Sequence, residues 1–180
     1  MKATGIVRRI DELGRIVIPK EIRRTLRIRE SDPLEIYTDN SGKIIFKKYS
    51  AIAELSSVAE EYASIISKNS GFPILISDKE QIVSVAGVPK KEFLGRRIST
   101  YSENLIQERK DFSICKNPNT KVLPVEGIDY EAAFIFVINS QGDALGSLIA
   151  LKNGTTISAT KEVENTIKTG CQLLGKSFED

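Results

Sequence analysis

The chain has 180 residues, which fits one compact domain or a small domain followed by a larger one. It has no histidine, two cysteines far apart in sequence and no apolar run long enough to span a bilayer. This excludes a disulfide scaffold, an imidazole-based metal centre or triad, and a membrane-spanning helix. No secretory signal precedes the first elements, so a reducing cytoplasm is the expected compartment. The 26 basic and 24 acidic residues are unevenly spread: residues 1–50 hold 12 Lys and Arg against 7 Asp and Glu, whereas the remainder holds 14 against 17. The basic first part points to a polyanion as partner, and the acidic remainder to surfaces that stay away from it.

The spacing predicts two strands at the start, Thr4–Ile10 and Arg15–Ile18. They are joined by Asp11-Glu12-Leu13-Gly14, with glycine where a positive φ is needed. A helix is expected over Pro19–Arg29, with proline in the first turn and Glu21 near the positive end of the dipole. At about 100° per residue, Ile22 and Leu26 lie about 40° apart, while Arg23, Arg27 and Arg24 point to about 100°, 140° and 200° from Ile22. Three guanidiniums thus share an arc away from the apolar stripe, and Arg8, Arg9 and Arg15 extend the positive surface outside the helix. Two further strands, Pro33–Thr38 and Lys43–Lys47, flank the turn Asp39-Asn40-Ser41-Gly42. The resulting β-β-α-β-β unit of about 50 residues is too small to build an adequate core alone, which implies a second copy.

The segment from Met1 to Tyr49 resembles the AbrB-type DNA-binding domain of bacterial transition-state regulators. The residues that carry the resemblance are Lys2, Gly5-Ile6-Val7-Arg8, Asp11-Glu12-Leu13-Gly14-Arg15, Ile18-Pro19, Arg23-Arg24-Thr25-Leu26, Leu34-Glu35-Ile36-Tyr37 and Lys47-Lys48-Tyr49. The resemblance implies an interlaced homodimer of swapped hairpins that binds double-stranded DNA. It also implies that Arg8, Arg15, Arg23 and Arg24 touch DNA, with Arg9, Arg27, Lys2 and Lys20 adding field strength. Arg9 stands where the family often has lysine, and Lys20 where an apolar residue often follows the proline.

A helix-like pattern then runs over Ser50–Ser70, with Ser50 as candidate N-cap and a seam of Ile52, Leu55, Ala59, Tyr62 and Ile66. A second seam follows Ser158: Val163, Ile167, Gly170 or Cys171, Leu174 and Phe178. Either the seams pack within the domain or they form a bundle between protomers. Between them the pattern predicts a hairpin (Phe72–Ser77 and Gln81–Ala86), a helical stretch from Lys90 to Lys110, and strands at Phe112–Cys115 and Lys121–Val125. Two stronger strands, Ala132–Ile138 and Ala144–Leu151, follow across Asn139–Asp143. This α-β-β-α-β-β-β-β-α order resembles the GAF fold, with Leu145–Leu151 like its last strand.

The fold class expected is therefore α+β: a swapped-hairpin, β-rich dimerisation domain in 1–50 and a GAF-like antiparallel sheet flanked by helices in 51–180. Together the halves resemble a family of late-sporulation regulators, with support from Gly127-Ile128-Asp129 and the Asn139–Gly146 region. That resemblance implies a homotetramer acting on gene expression in the forespore. The GAF-like part either senses an unidentified small molecule or tethers DNA-binding dimers for avidity.

Three chemical signals need placing. Gly170-Cys171-Gln172-Leu173-Leu174-Gly175-Lys176-Ser177 matches the phosphate-binding loop pattern, but an amphipathic helix is expected to run through it, without the strand–loop–helix context that chemistry needs. Cys115 and Cys171 are expected to be small buried or half-buried thiols, and the lack of histidine argues against bilin attachment. No paired carboxylates stand out. The chain is expected to be a DNA-binding transcriptional regulator and not an enzyme, with no cofactor and no metal. An antitoxin-like protein that binds a toxin is the alternative, disfavoured because residues 51–180 are patterned like a folded domain.

Overall fold

A computed structural model describes residues 5–54, 56–152 and 158–179. The chain divides into two compact units, Met1–Tyr49 and Ser50–Asp180.

In the first unit, α1 (Lys20–Thr25) precedes a hairpin of β1 (Leu34–Thr38) and β2 (Ile44–Lys48), whose register pairs Leu34 with Lys48 and Ile36 with Phe46. Two expectations are corrected here. Residues 5–10 and 15–18 are not strands among the described residues, and the expected start at Thr4 lies outside them. The Asp11–Arg15 turn is closed, with the Asp11 N–H donating to the Arg15 carbonyl at 3.1 Å, but no ladder grows from it. The apolar side chains meant for a sheet stay in solvent, Val7 at 89% and Val17 at 70% exposure, because the surface that would cover them is not within these residues. The helix is also shorter than expected. Arg27 takes φ 51°, a left-handed conformation that ends α1 one turn early and removes Arg27 from the helical arc.

The second unit opens with α2 (Ala51–Glu54) and α3 (Ser56–Ser70). Ser50 caps as expected, its Oγ accepting from the Ala53 N–H at 3.2 Å. Leu55, part of the expected seam, lies outside the described residues. There follow β3 (Ile74–Ser77), β4 (Ile82–Ala86), α4 (Lys90–Phe93), α5 (Thr100–Glu108), β5 (Phe112–Ser113), β6 (Ala132–Ser140), β7 (Asp143–Leu151) and α6 (Lys161–Lys176). The antiparallel sheet runs β4-β3-β7-β6-β5, with helices on both faces.

Both faces of the central strands are buried, so they read as near-continuous apolar runs. Along β6, Phe134, Phe136 and Ile138 point to the α3–α6 side, while Ile135 and Val137 point to the side of α4 and α5. The two seams are spent on this sheet. Ile52, Ala59, Ile66, Ile167, Cys171 and Leu174 are buried against it, with Tyr62, Val163 and Phe178 partly buried alongside. Of the two readings the seams allowed, packing within the domain is the one found. The second core joins Leu75, Ile149 and Leu151 to Phe93, Ile98, Ile106, Val122 and Val125.

Two further elements depart from expectation. The stretch 90–110 is two helices, because Gly95 at φ 74° breaks the first and Ser99 caps the second by accepting from Ser102 N–H. Residues 121–125 form no strand. Pro124 lacks a donor, and the β-pairing of the segment is an isolated bridge from Val125 to Ile98. The sheet thus has five strands, not six. The β6–β7 ladder extends to Ser140–Asp143, which shrinks the expected five-residue connection to Gln141-Gly142, both at positive φ.

Candidate nucleic-acid interface

The candidate contact residues are set out along a short path in the first unit. Arg8 and Arg9 lie on the segment that leads into the Asp11 turn, Arg15 follows that turn, and Lys20, Arg23 and Arg24 sit on α1. All are exposed, as is Arg27 just past the helix; Lys2 lies outside the described residues. Local chemistry explains why α1 forms where it does. Pro19 occupies the N-cap with φ −57°, and its carbonyl accepts from the Arg23 N–H at 3.0 Å. Thr25 Oγ1 returns a hydrogen bond to the Glu21 carbonyl at 2.9 Å. Arg23 and Arg24 fall in the last turn, where cations suit the negative end of the dipole.

Arg15 is held differently. Asp11 Oδ1 accepts from the backbone N–H of Leu13 at 3.0 Å and of Arg15 at 2.8 Å, and Oδ2 accepts from Arg15 Nε at 2.8 Å. Gly14, at φ 74°, gives the turn the left-handed residue it needs, and its N–H donates to the Asp11 carbonyl at 2.9 Å. The Arg15 backbone N–H, then its side chain, hold the Asp11 carboxyl below the usual carboxylate range. The turn was read from sequence as a connection only. The signal that could have assigned it a further role is its repetition: Asp11-Glu12-Leu13-Gly14-Arg15 and Asp39-Asn40-Ser41-Gly42-Lys43 share an Asp-x-x-Gly-base pattern.

The other chemical signals resolve as packing. The phosphate-loop pattern is crossed by α6, and its glycines serve close approach. A Cβ at Gly170 would meet Ile66 Cδ1 at 2.7 Å, and one at Gly175 the Asn139 carbonyl oxygen at 2.3 Å. Cys171 is buried, and burial pushes its thiol up. Cys115 corrects the expectation of a buried or half-buried thiol: it is exposed, its Sγ donating to the Ala159 carbonyl at 3.1 Å. Among the described residues, no group of three or more His, Cys, Asp or Glu side chains is placed to hold a metal ion, and no helix is long and apolar enough to cross a membrane.

Comparison with known proteins adds the following. Residues 54–179 match the family described as stage V sporulation protein T C-terminal, transcription factor, and residues 7–53 match that described as antidote-toxin recognition MazE, bacterial antitoxin. Stage V sporulation protein T of Bacillus subtilis (strain 168) is 43% identical over 182 residues, covering 99% of each chain. The transition state regulatory protein AbrB of the same organism is 69% identical over 49 residues, 27% of this chain and 50% of its own. The solution structure of that regulator's N-terminal DNA recognition domain aligns at 68% identity over 28% of this chain and 92% of its own, with a TM-score of 0.25. The crystal structure of a GAF domain from an Acinetobacter phosphoenolpyruvate-protein phosphotransferase aligns at 14% identity over 69% of this chain and 86% of its own, with a TM-score of 0.46.

Proposed function

The chain belongs to the stage V sporulation protein T family of transcription factors, and from that premise we propose how it engages DNA. It is a sporulation transcription factor with an AbrB-type DNA-binding domain. Arg8, Arg15, Arg23 and Arg24 contact phosphates and base edges, while Arg9, Arg27, Lys2 and Lys20 strengthen the field. The observation that carries this reading is the exposure of Arg8, Arg9, Arg15, Lys20, Arg23, Arg24 and Arg27 together in the segment that is 69% identical to AbrB. Arginine suits both tasks, since its fork reaches guanine O6 and N7 or a phosphate in a bidentate way, whereas lysine serves phosphates. With few residues to define a base code, groove shape and deformability take a share in site choice.

Assembly follows from what a single chain leaves uncovered. Val7, Ile10, Leu13 and Val17 are exposed in the first unit, and pairing with a second copy would bury them. A homotetramer then forms through the second unit. Its helical seams are already used, so the joint falls on the outer faces of α3 and α6, where Ile65 and Leu173 are 49% and 53% exposed. The forespore cytoplasm is the proposed compartment. The GAF-like unit serves as a tether for two DNA-binding dimers or as a sensor of a small-molecule effector, and the chain acts without catalysis. The antitoxin alternative gains a match over residues 7–53, but a transcription factor covers 99% of the chain.

The test is binding of the full chain to duplexes selected from a random-sequence library. The R8A, R15A, R23A and R24A variants are each expected to bind at least about tenfold more weakly while keeping the far-ultraviolet circular dichroism of the parent. Four folded variants with parental affinity would overturn the assignment.

A further inference from the structure

The first unit contains the same turn twice, and the two copies differ in two chemical respects: Ser41 Oγ also donates to Asp39 Oδ1 at 2.7 Å, where Leu13 has no donor, and the second carboxylate oxygens hold different bases. In both, the Asp backbone N–H donates to the carbonyl of the basic fifth residue at 3.1 Å. In both, the glycine N–H returns to the Asp carbonyl, at 2.9 Å in the first copy and 3.0 Å in the second. Gly14 and Gly42 have φ 74° and 79°. Asp39 Oδ1 accepts from the backbone of Ser41 and of Lys43, each at 2.9 Å, as Asp11 Oδ1 does from Leu13 and Arg15. The second carboxylate oxygen marks the difference that bears on the basic side chain. Asp39 Oδ2 takes Lys43 Nζ at 3.1 Å, the one nitrogen that side chain has to offer. Asp11 Oδ2 takes Arg15 Nε at 2.8 Å, and Nη1 and Nη2 make no hydrogen bond among the described residues. The Arg15 side chain is 70% exposed while held in this way.

We propose that Asp11 is a positioning residue for DNA recognition: it grips Arg15 by Nε, fixes the plane of the guanidinium, and presents the two terminal nitrogens outward as a fork. The proposal rests on the reading of Arg15 as a DNA contact. A free arginine gives up much rotamer freedom when it engages a base pair, and a side chain ordered beforehand gives up less. Only arginine can be anchored through one nitrogen and still offer two further nitrogens as a planar fork, and this turn has arginine where its twin has lysine. The carboxyl is held below its ordinary value and stays ionised at neutral pH. Simple charge arithmetic predicts the opposite outcome, since a carboxylate on a DNA-facing turn repels phosphate and its removal should tighten binding to any duplex.

Asparagine at position 11 separates these effects. Its carbonyl oxygen can still cap the Leu13 and Arg15 N–H groups, but its amide faces Nε with a donor. The readout is the ratio of affinities of the full chain for a selected duplex and for a scrambled duplex of the same composition. D11N is expected to lower this ratio about tenfold, and to lower it no further in an R15A background. D39N, the matched loss of a turn carboxylate, is expected to leave the ratio at the parental value. Should D11N fail to fold, R15K serves, because its ammonium would be taken up by Asp11 as Lys43 is by Asp39; its ratio is expected to match that of R15A. A D11N or R15K variant with the parental ratio, a D11N variant that binds both duplexes more tightly, or an equal loss from D11N with and without Arg15 would overturn the proposal. A parental ratio in R15A is a different failure, that of Arg15 as a DNA contact.

Discussion

A Cβ placed on Gly175 of α6 would stand 2.3 Å from the carbonyl oxygen of Asn139 on β6. The helix therefore lies backbone against backbone on the sheet at this point, and no side-chain rotation can relieve an added methyl. Overpacking of this kind costs about 1–3 kcal/mol, against which alanine regains up to about 1 kcal/mol of helix propensity. G175A is expected to lower the urea midpoint of the full chain. G170A meets Ile66 Cδ1 and Cγ1, both at 2.7 Å, a side chain that can shift where the Asn139 backbone cannot, so its loss of stability is expected to be smaller than that of G175A. Equal effects at the two positions would contradict this packing.

Ser77 and Ser147 face each other across β3 and β7, their hydroxyl oxygens 2.7 Å apart and fully buried. Removing one hydroxyl leaves the other without this partner in an apolar setting, at a cost of about 1–3 kcal/mol. Removing both spares that penalty. The S77A/S147A double variant is expected to be more stable than the sum of the single losses predicts, by about 0.5–1 kcal/mol or more. Additive losses in denaturant melts would mean that the pair is not coupled.

The Asp39 turn should report on acid. Hydrogen bonds from the Ser41 hydroxyl, then from the Lys43 backbone, hold the Asp39 carboxyl down to about 2, against an ordinary value of 3.8. A group depressed in the folded state contributes stability above its unfolded value and loses it as pH falls towards the folded one. The stability gap between the parent and D39N is therefore expected to be widest above about pH 4 and to narrow as pH drops from there towards about 2. A gap that widens on acidification would contradict the assignment.

The parts of the fold legible in sequence are those whose partners lie nearby in the same chain. The β3–β4 and β6–β7 hairpins were readable because short, near-continuous apolar runs flank turn residues, and α6 because its seam repeats over two turns and more. The strands expected around residues 4–10 and 15–18 are not formed among the described residues, because a ladder depends on a surface that these residues do not supply among themselves. The single helix expected over 90–110 failed on local chemistry that was present in the sequence: Gly95 breaks it and Ser99 starts another. The arginines of the candidate interface were legible as a charge pattern. Arg27's departure from the helical arc was not, since a left-handed arginine has no sequence signature. The grip of Asp11 on Arg15 also escaped, because aspartate before glycine is expected in any tight turn and its second oxygen is assigned only by geometry.

We propose that the arginines of residues 8–24 hold duplex DNA through an assembled basic face. This is tested most directly by the salt dependence of binding, measured with the full chain and its R23A/R24A variant on one selected duplex while mass in solution is recorded. With six or more phosphates neutralised, parental affinity is expected to fall by about a thousandfold or more between about 50 and 200 mM salt. The double variant is expected to bind far more weakly with a shallower slope and the same mass. Binding insensitive to salt, or a folded double variant with parental affinity and slope, would contradict the claim.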